Sequence, residues 1–392
     1  MYKVRTFNQI ALRGLERFPR DGFEVGTEIP DPHAILLRSH VLTADHVTPN
    51  LRAVARAGAG VNNVPVDLYT ERGIVVFNTP GANANSVKEL VLAALLLSAR
   101  DVIGGIRYVE SVNGVSDPVE LNKQVEAEKK RFQGEEIYGK TLGVVGLGAI
   151  GALVAEAGLR LGMNVLGYDP AISVEAAWRL PSDVQRMENL PTLFARSDYV
   201  TLHVPLMTET RNMINEESLK SFRPGTVLLN FARQEIVDEP ALSRALSAGK
   251  LARYFSDFPS PTLARLPNVS ATPHLGASTA EAEENCAVMA ADQLIDFLRN
   301  GNIRNSVNFP TVGLERTPGV RLAITNRNVP KMLGQILSVL ANKNLNVIDM
   351  INKSRGDVAY NLIDVAGPVP NELVSEITRI GSVMNVRLFD PS

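Results

Sequence analysis

Cysteine is almost missing from this chain of 392 residues: Cys286 stands alone, which excludes an intramolecular disulfide and a metal site built on cysteine pairs. A cytoplasmic location is the matching expectation, and no metal is expected. Histidine is scarce as well, at positions 33, 40, 46, 203 and 274 only, so each can be weighed singly. Neither sign of charge prevails, with 40 basic against 42 acidic residues, and neither nucleic acid nor a membrane is expected as a partner. Long apolar runs are lacking too. The most hydrophobic, Leu90 to Leu97, stops before Arg100 and Asp101 and reads as a buried helix, not a membrane span. Behind the charges of Met1-Tyr2-Lys3-Val4-Arg5-Thr6 lies no apolar core of signal-peptide length. What remains, 45% hydrophobic and 21% charged, is an ordinary globular composition in a chain long enough for two or three domains.

The most informative stretch that is present runs Thr141-Leu142-Gly143-Val144-Val145-Gly146-Leu147-Gly148-Ala149-Ile150-Gly151. An apolar strand passes straight into a helical pattern with glycines at the dinucleotide-binding spacing. Gly146 permits the tight turn, Gly148 lets the backbone approach a pyrophosphate, and Gly151 lets the helix pack closely on the strand. The helix N-terminus, from Ala149 and Ile150 onward, offers free N–H groups to phosphates. The next strand pattern ends in Asp169, 18 positions after Gly151, where a carboxylate accepts from ribose hydroxyls and repels a 2′-phosphate. NAD is therefore the expected cofactor, in preference to NADP.

Strand and helix patterns alternate on both sides of this turn, at Val4 to Phe7, Ala34 to Leu37, Leu51 to Ala57 and Ile74 to Phe77, then at Met163 to Tyr168, Tyr199 to Val204, Thr226 to Phe231 and Leu251 to Ser256. This predicts an α/β fold with two Rossmann-like, doubly wound parallel sheets. Ser86, with Glu89 three residues on, reads as a capping box opening the long apolar helix. Residues 121–139 are strongly charged and read as a solvated connection, unless Lys130 or Arg131 reaches a phosphate-bearing substrate. After one long helix beyond Ala277 and a linker at 309–318, the tail has the order βαββαβ, the ferredoxin-like unit. The expected plan is a discontinuous substrate domain (1–97 and 276–308), a dinucleotide domain (98–275) and a regulatory domain (319–392).

His274 closes a strand-like run beside the expected cofactor crevice, which favours chemistry over structure; His203, also at a strand end, is expected at the cofactor edge. Arg233 ends the apolar strand pattern Leu228-Leu229-Asn230-Phe231-Ala232, and its planar fork suits a carboxylate, with an ion pair to Glu235 or Asp238 as the alternative.

Together these residues carry a resemblance. Arg56-Ala57-Gly58-Ala59-Gly60-Val61-Asn62-Asn63-Val64, Asn78-Thr79-Pro80-Gly81, the glycine turn, Tyr168-Asp169-Pro170, Asn230-Phe231-Ala232-Arg233 and Pro273-His274-Leu275-Gly276-Ala277-Ser278-Thr279 resemble the D-2-hydroxyacid dehydrogenases over nearly the whole chain, and among them the phosphoglycerate dehydrogenases with a C-terminal ACT domain. The resemblance implies NAD-dependent oxidation of 3-phospho-D-glycerate to 3-phosphohydroxypyruvate, the first step of L-serine synthesis. It makes His274 the acid/base and Arg233 the carboxylate ligand. It sets Arg38 and Arg56 near the substrate phosphate, the backbone of Ala57, Gly58, Ala59 and Gly60 around the carboxylate, and Asn85 and Ser86 close by. Asp257, Ala232, His203, Pro205 and Gly276 fall on the cofactor. In the tail, Asn328 and Asn346 match asparagines that bind L-serine in serine-sensitive relatives, whereas Asn326 and Lys331 depart from that pattern. A homodimer or homotetramer is expected.

One catalytic position departs from the family. Its third catalytic residue, a glutamate five positions after the aspartate at 257, is here Thr262. That carboxylate stabilises the protonated histidine, since an opposite charge nearby favours the charged form. Its loss predicts an altered rate and pH optimum. Two alternatives stay open: reduction of another small 2-oxo acid such as 2-oxoglutarate, or a chain that mainly senses NAD(H), as C-terminal-binding-protein corepressors do.

Overall fold

The apolar runs around the glycine turn form a seven-stranded parallel sheet, in the spatial order Val269–Ala271, Leu251–Ser256, Thr226–Asn230, Tyr199–Leu202, Thr141–Val145, Asn164–Tyr168, Gln185–Arg186. The chain starts in the middle, builds outward one way, then returns and builds the other way. Its reversal point lies between Thr141–Val145 and Tyr199–Leu202, where the ligand crevice of an open α/β sheet forms. Both faces are covered. Leu142, Val144 and Val165 pack with Val154, Val91 and Leu95 on one side, while Val145, Val200 and Leu228 meet Leu193, Phe222 and Leu242 on the other. Burial on both faces is why these strands read as continuous apolar runs and not as alternating ones.

The computed structural model describes residues 1–391, in two compact units: 84–279, which holds this sheet, and 1–83 together with 280–392. The second unit contains a five-stranded parallel sheet in the order Phe23–Gly26, Tyr2–Thr6, Ala34–Leu37, Ala53–Arg56, Val75–Phe77, which is doubly wound as expected. The 21-residue helix Ala280–Asn300 lays Ala287, Ala291, Leu294 and Leu298 into its core. The tail forms a four-stranded antiparallel sheet, Val347–Arg355, Val358–Val365, Val320–Arg327, Val383–Phe389, with helices Met332–Asn342 and Leu373–Thr378, consistent with an ACT-like domain. Leu362 and Phe389 of that sheet belong to the same apolar cluster as Phe77 and Phe297. Arg321 and Asp364, both fully buried, are paired at 2.6 Å, and the same guanidinium donates to the carbonyls of Asn300, Leu314 and Glu315.

Two local expectations are corrected. Ser86 does not cap the apolar helix, which runs Ala84–Ala99 and starts before it; Ser86 is buried and its hydroxyl donates to the Gly276 carbonyl at 2.9 Å. The charged segment is no mere connection either. It is a helix, Pro118–Glu128, capped by Asp117, followed by the 3-10 turn Lys129–Phe132, and none of their residues is buried. Polarity on every side rules out burial, not helicity, and the cap supplies what burial does not. No helix among the described residues is long and apolar enough to cross a membrane.

Candidate active site

At the reversal point the glycine turn is bound by its neighbours. Gly146 has φ +88°, donates its N–H to the Tyr168 carbonyl at 2.8 Å, and lies so close to the His203 carbonyl that an added Cβ would stand 2.6 Å from that oxygen. At Gly151 a Cβ would collide with the Gly146 carbonyl, whereas at Gly148, the N-cap of helix Ala149–Arg160, it would meet nothing within 4 Å. Two glycines thus close the turn and the third leaves its outer side open. Asp169 accepts from the Leu147 N–H at 2.8 Å and the Ala171 N–H at 2.9 Å, so the carboxylate is fixed against the turn it follows. A carboxylate has about four acceptor positions, which leaves capacity for ribose hydroxyls. His203 bonds Thr201 at 2.9 Å, its Nδ1 has no partner, and burial pushes its pKa down to about 3, so it is a neutral ring. Pro205 follows on the exposed side of the same strand end.

Three consecutive strands of the sheet deliver Arg233, Asp257 and His274 at their carboxyl ends. Asn230, fully buried, shapes the first turn: its Oδ1 accepts from the Ala232 N–H at 3.1 Å and its Nδ2 donates to the Arg233 carbonyl at 2.9 Å. The exposed Arg233 guanidinium donates only to the Ala232 carbonyl, at 2.6 Å, and among the described residues pairs with neither Glu235 nor Asp238. Asp257 is 1% exposed; its Oδ2 accepts from the Gly276 N–H at 3.0 Å and its Oδ1 accepts from nothing. Burial pushes this carboxyl up, while the Gly276 N–H and the charges of His274 and Arg233 pull it back. The His274 N–H donates to the Asp257 carbonyl at 2.9 Å, and its backbone takes φ +49°. Its exposed ring lies 5.0 Å from Phe258 and forms no hydrogen bond or ion pair with a carboxylate among the described residues, although its charge is felt by Asp257. Thr262 is exposed too, and the loop before it is tied back by Ser260, whose hydroxyl donates to Glu239 at 2.6 Å. In the same unit Asn85 bridges Glu89 and Lys88, while Lys130 and Arg131 lie on the surface, Arg131 paired with Glu128 at 2.7 Å.

The other unit brings Arg38 and Arg56 to adjacent strand ends, and Arg56 Nε donates to the Arg38 carbonyl at 3.1 Å. Arg38 also pairs with Glu283 at 2.5 Å, a partner 245 positions away that no local pattern announces. The turn over Ala57 to Gly60 is held by Thr79 N–H on the Gly58 carbonyl and by Asn78 on the Ala59 carbonyl at 2.7 Å. In the tail, Asn328 donates to the Gly356 carbonyl at 3.0 Å and Asn346 is exposed. Lys331 sits at φ +75°, the left-handed region where glycine is at ease.

Residues 109–276 match the model of the D-isomer specific 2-hydroxyacid dehydrogenase NAD binding domain. The D-3-phosphoglycerate dehydrogenase of Haemophilus influenzae is 33% identical over 386 residues, spanning 94% of this chain and 89% of that one. The chain belongs to the D-isomer specific 2-hydroxyacid dehydrogenases. The chain is also 34% identical to the D-3-phosphoglycerate dehydrogenase of Methanocaldococcus jannaschii over 87% of its own length, but spans only 63% of that longer relative. The crystal structure of NAD+-bound 3-phosphoglycerate dehydrogenase from Entamoeba histolytica matches 78% of this chain and 98% of that one, with a TM-score of 0.62 and 26% identity.

The chain's own atoms fit that cofactor. An open backbone at Gly148 ahead of a helix N-terminus suits a pyrophosphate, and a buried carboxylate oxygen without a donor suits an amide N–H. Sequence reasoning named Asp257 and Gly148 but missed Asn230, Glu239 and Glu283 as supporting residues. An asparagine closing an apolar strand three positions before the arginine was the one signal available; the two glutamates are joined to the site only by folding.

Proposed function

We propose that this dehydrogenase oxidises 3-phospho-D-glycerate to 3-phosphohydroxypyruvate with NAD, in L-serine synthesis. What carries the reading is the delivery of Arg233, Asp257 and His274 to the ends of three consecutive strands, with neither Arg233 nor His274 in an ion pair among the described residues, in a chain alike over 94% of its length to a phosphoglycerate dehydrogenase. Gly146, Gly148, Ala149, Ile150 and Gly151 hold the pyrophosphate, Asp169 the ribose, and Asp257 with the backbone of Ala232 and Gly276 the carboxamide. Bound there, NAD supplies the acceptor for the C2 hydride. His274 takes the hydroxyl proton as the hydride leaves, and Arg233 holds the carboxylate by its fork and steadies the developing carbonyl. Arg38 and Arg56 favour a phosphorylated acid over lactate or glycolate. L-serine is the effector we assign to Asn328 and Asn346.

A homo-oligomer is part of the proposal, because helix Val102–Ser111 buries none of its residues and presents Ile106 and Val109 at more than half exposure. The free and buried Cys286 suits a cytoplasmic enzyme.

His274→Ala tests the chemistry: kcat should fall by about 10²- to 10⁴-fold, the range of general acid–base catalysis. Undiminished NADH formation from phosphoglycerate by this variant would overturn the role of His274. Equal kcat/KM for phosphoglycerate, lactate and 2-hydroxyglutarate would overturn the substrate.

A further inference from the structure

Helix Ala280–Asn300 forms one wall of a cavity of about 570 Å³, within the range of small-molecule sites, in the unit formed by 1–83 and 280–392. The lining carries opposite charges that do not neutralise one another. Asp292 and Asp296 lie one helical turn apart, and Arg304 stands on the loop after the helix. Asp296 is fixed by the amides of Asn300 and Asn302, both donating to its Oδ1 at 2.9 and 3.0 Å, so its Oδ2 stays unpaired. Asp292 shares one oxygen with Arg17 at 2.7 Å and keeps the other. The Arg304 guanidinium has no hydrogen bond or ion pair among the described residues. Between the two acids lies Gln293, only 8% exposed, whose Nε2 donates to the Asn78 carbonyl at 3.0 Å while its buried Oε1 accepts from nothing.

Asp296 Oδ2, the second oxygen of Asp292 and the exposed Arg304 guanidinium each keep hydrogen-bonding capacity for a ligand. Held apart, they match a ligand bearing both signs. An ammonium offers three donors, and Asp296 and Gln293 Oε1, three positions apart, are acceptors on one helix face. A carboxylate offers two parallel acceptors to the fork of a guanidinium. Val288 and Met289 supply apolar lining between. A simple cation would leave Arg304 unanswered, and a simple anion would face two carboxylates.

We propose that this cavity binds a small zwitterion, a free α-amino acid, with its ammonium on Asp296 and Gln293 and its carboxylate on Arg304. The site is separate from Asn328 and Asn346 of the tail and from every residue assigned to the reaction.

Calorimetric titration of the full chain with each proteinogenic α-amino acid at millimolar concentration, and with its N-acetyl and carboxamide derivatives, tests this. At least one free amino acid should bind, and both derivatives, each lacking one charge, should bind about tenfold more weakly or worse, the loss expected for one charge-assisted hydrogen bond. Arg304→Gln and Asp296→Asn should each weaken binding of the free amino acid by the same order while circular dichroism stays unchanged. Asn328→Ala should leave it intact. The proposal is overturned if no amino acid binds, if a derivative binds as well as its parent, or if Asn328→Ala abolishes binding that the two cavity variants retain.

Discussion

Asp257 and Asp364 are buried to the same depth, 1% and 0% exposed, and are provided for in opposite ways. Asp364, in the C-terminal sheet, accepts two hydrogen bonds from Arg321 at 2.6 and 2.8 Å and a third from the Thr317 hydroxyl at 2.9 Å. Burial works against its charge, yet Arg321 and Thr317 outweigh it and hold the carboxyl below the usual carboxylate range. Asp257 has one backbone donor, one oxygen with none, and a carboxyl pushed up by burial. A saturated buried charge serves the fold. One left short of a donor costs stability until something binds, and its place beside His274 and Arg233 says what that something touches.

The contrast is broken most forcefully at Arg321. Replacing it by Met strands a buried carboxylate, and removal of one partner from a buried pair costs about 3–5 kcal/mol. Denaturant unfolding should show that loss, and adding Asp364→Leu should recover only part of it, because the carbonyls of Asn300, Leu314 and Glu315 lose their donor as well. Full recovery in the double variant would mean that those carbonyl bonds contribute nothing.

At position 257 the same logic predicts the reverse. Asp257→Asn keeps an acceptor for the Gly276 N–H, so the fold should lose little, while affinity for NAD falls by roughly tenfold or more, the worth of a hydrogen bond to a charged group. Unchanged NAD affinity would remove Asp257 from the cofactor site. The two positions should also respond to pH with opposite sign. Asp364 has a folded pKa below the ordinary value of about 3.9, so its contribution is present above that value and disappears as pH falls through the folded pKa. For Asp257 the folded pKa lies above it, so its contribution is complete below about pH 3.9 and is lost as pH rises through the folded pKa. The stability gap between wild type and Asp364→Asn should therefore close in acid, whereas Asp257→Asn should gain on wild type as pH rises from about 4 toward neutrality. Parallel curves for the two variants would refute the distinction.

How much of this the sequence disclosed follows from the range over which each feature is encoded. The glycine turn is local: strand period, three glycines and the acid 18 positions on lie within one βαβ unit, and Gly146 and Gly151 are found in the close approaches that a tight turn and a packed helix require. The βαββαβ order of the tail was equally legible, since each change of hydrophobic period marks an element. Helix Pro118–Glu128 was not, because a helix that buries nothing has no apolar stripe to read. Ser86 looked like a cap because caps are recognised by residue type, and the same hydroxyl serves a carbonyl 190 residues away. Asp364 drew no notice at all, since Arg321 faces it across paired strands, which only register reveals, and Thr317 reaches it from the segment before that strand.

The smallest expected effect returns to Thr262. It is exposed, precedes the 3-10 turn Leu263–Arg265 and makes no capping bond there, so a glutamate at this surface position should alter stability within about 0.5 kcal/mol. If the imidazolium of His274 lacks a compensating carboxylate, Thr262→Glu supplies one, and reduction of 3-phosphohydroxypyruvate, which needs the protonated ring, should persist to higher pH. A displacement of about one unit corresponds to about 1.4 kcal/mol. The profile of kcat/KM against pH for wild type and variant measures it, and coincident profiles would sink the idea that the charge is missing. In that event Asp257 is the group to question, because its carboxyl already interacts with His274. A profile moved by Asp257→Asn but not by Thr262→Glu would assign to the buried aspartate the work that relatives give to a glutamate, and its unsatisfied oxygen would then have two claimants, the cofactor amide and the catalytic ring.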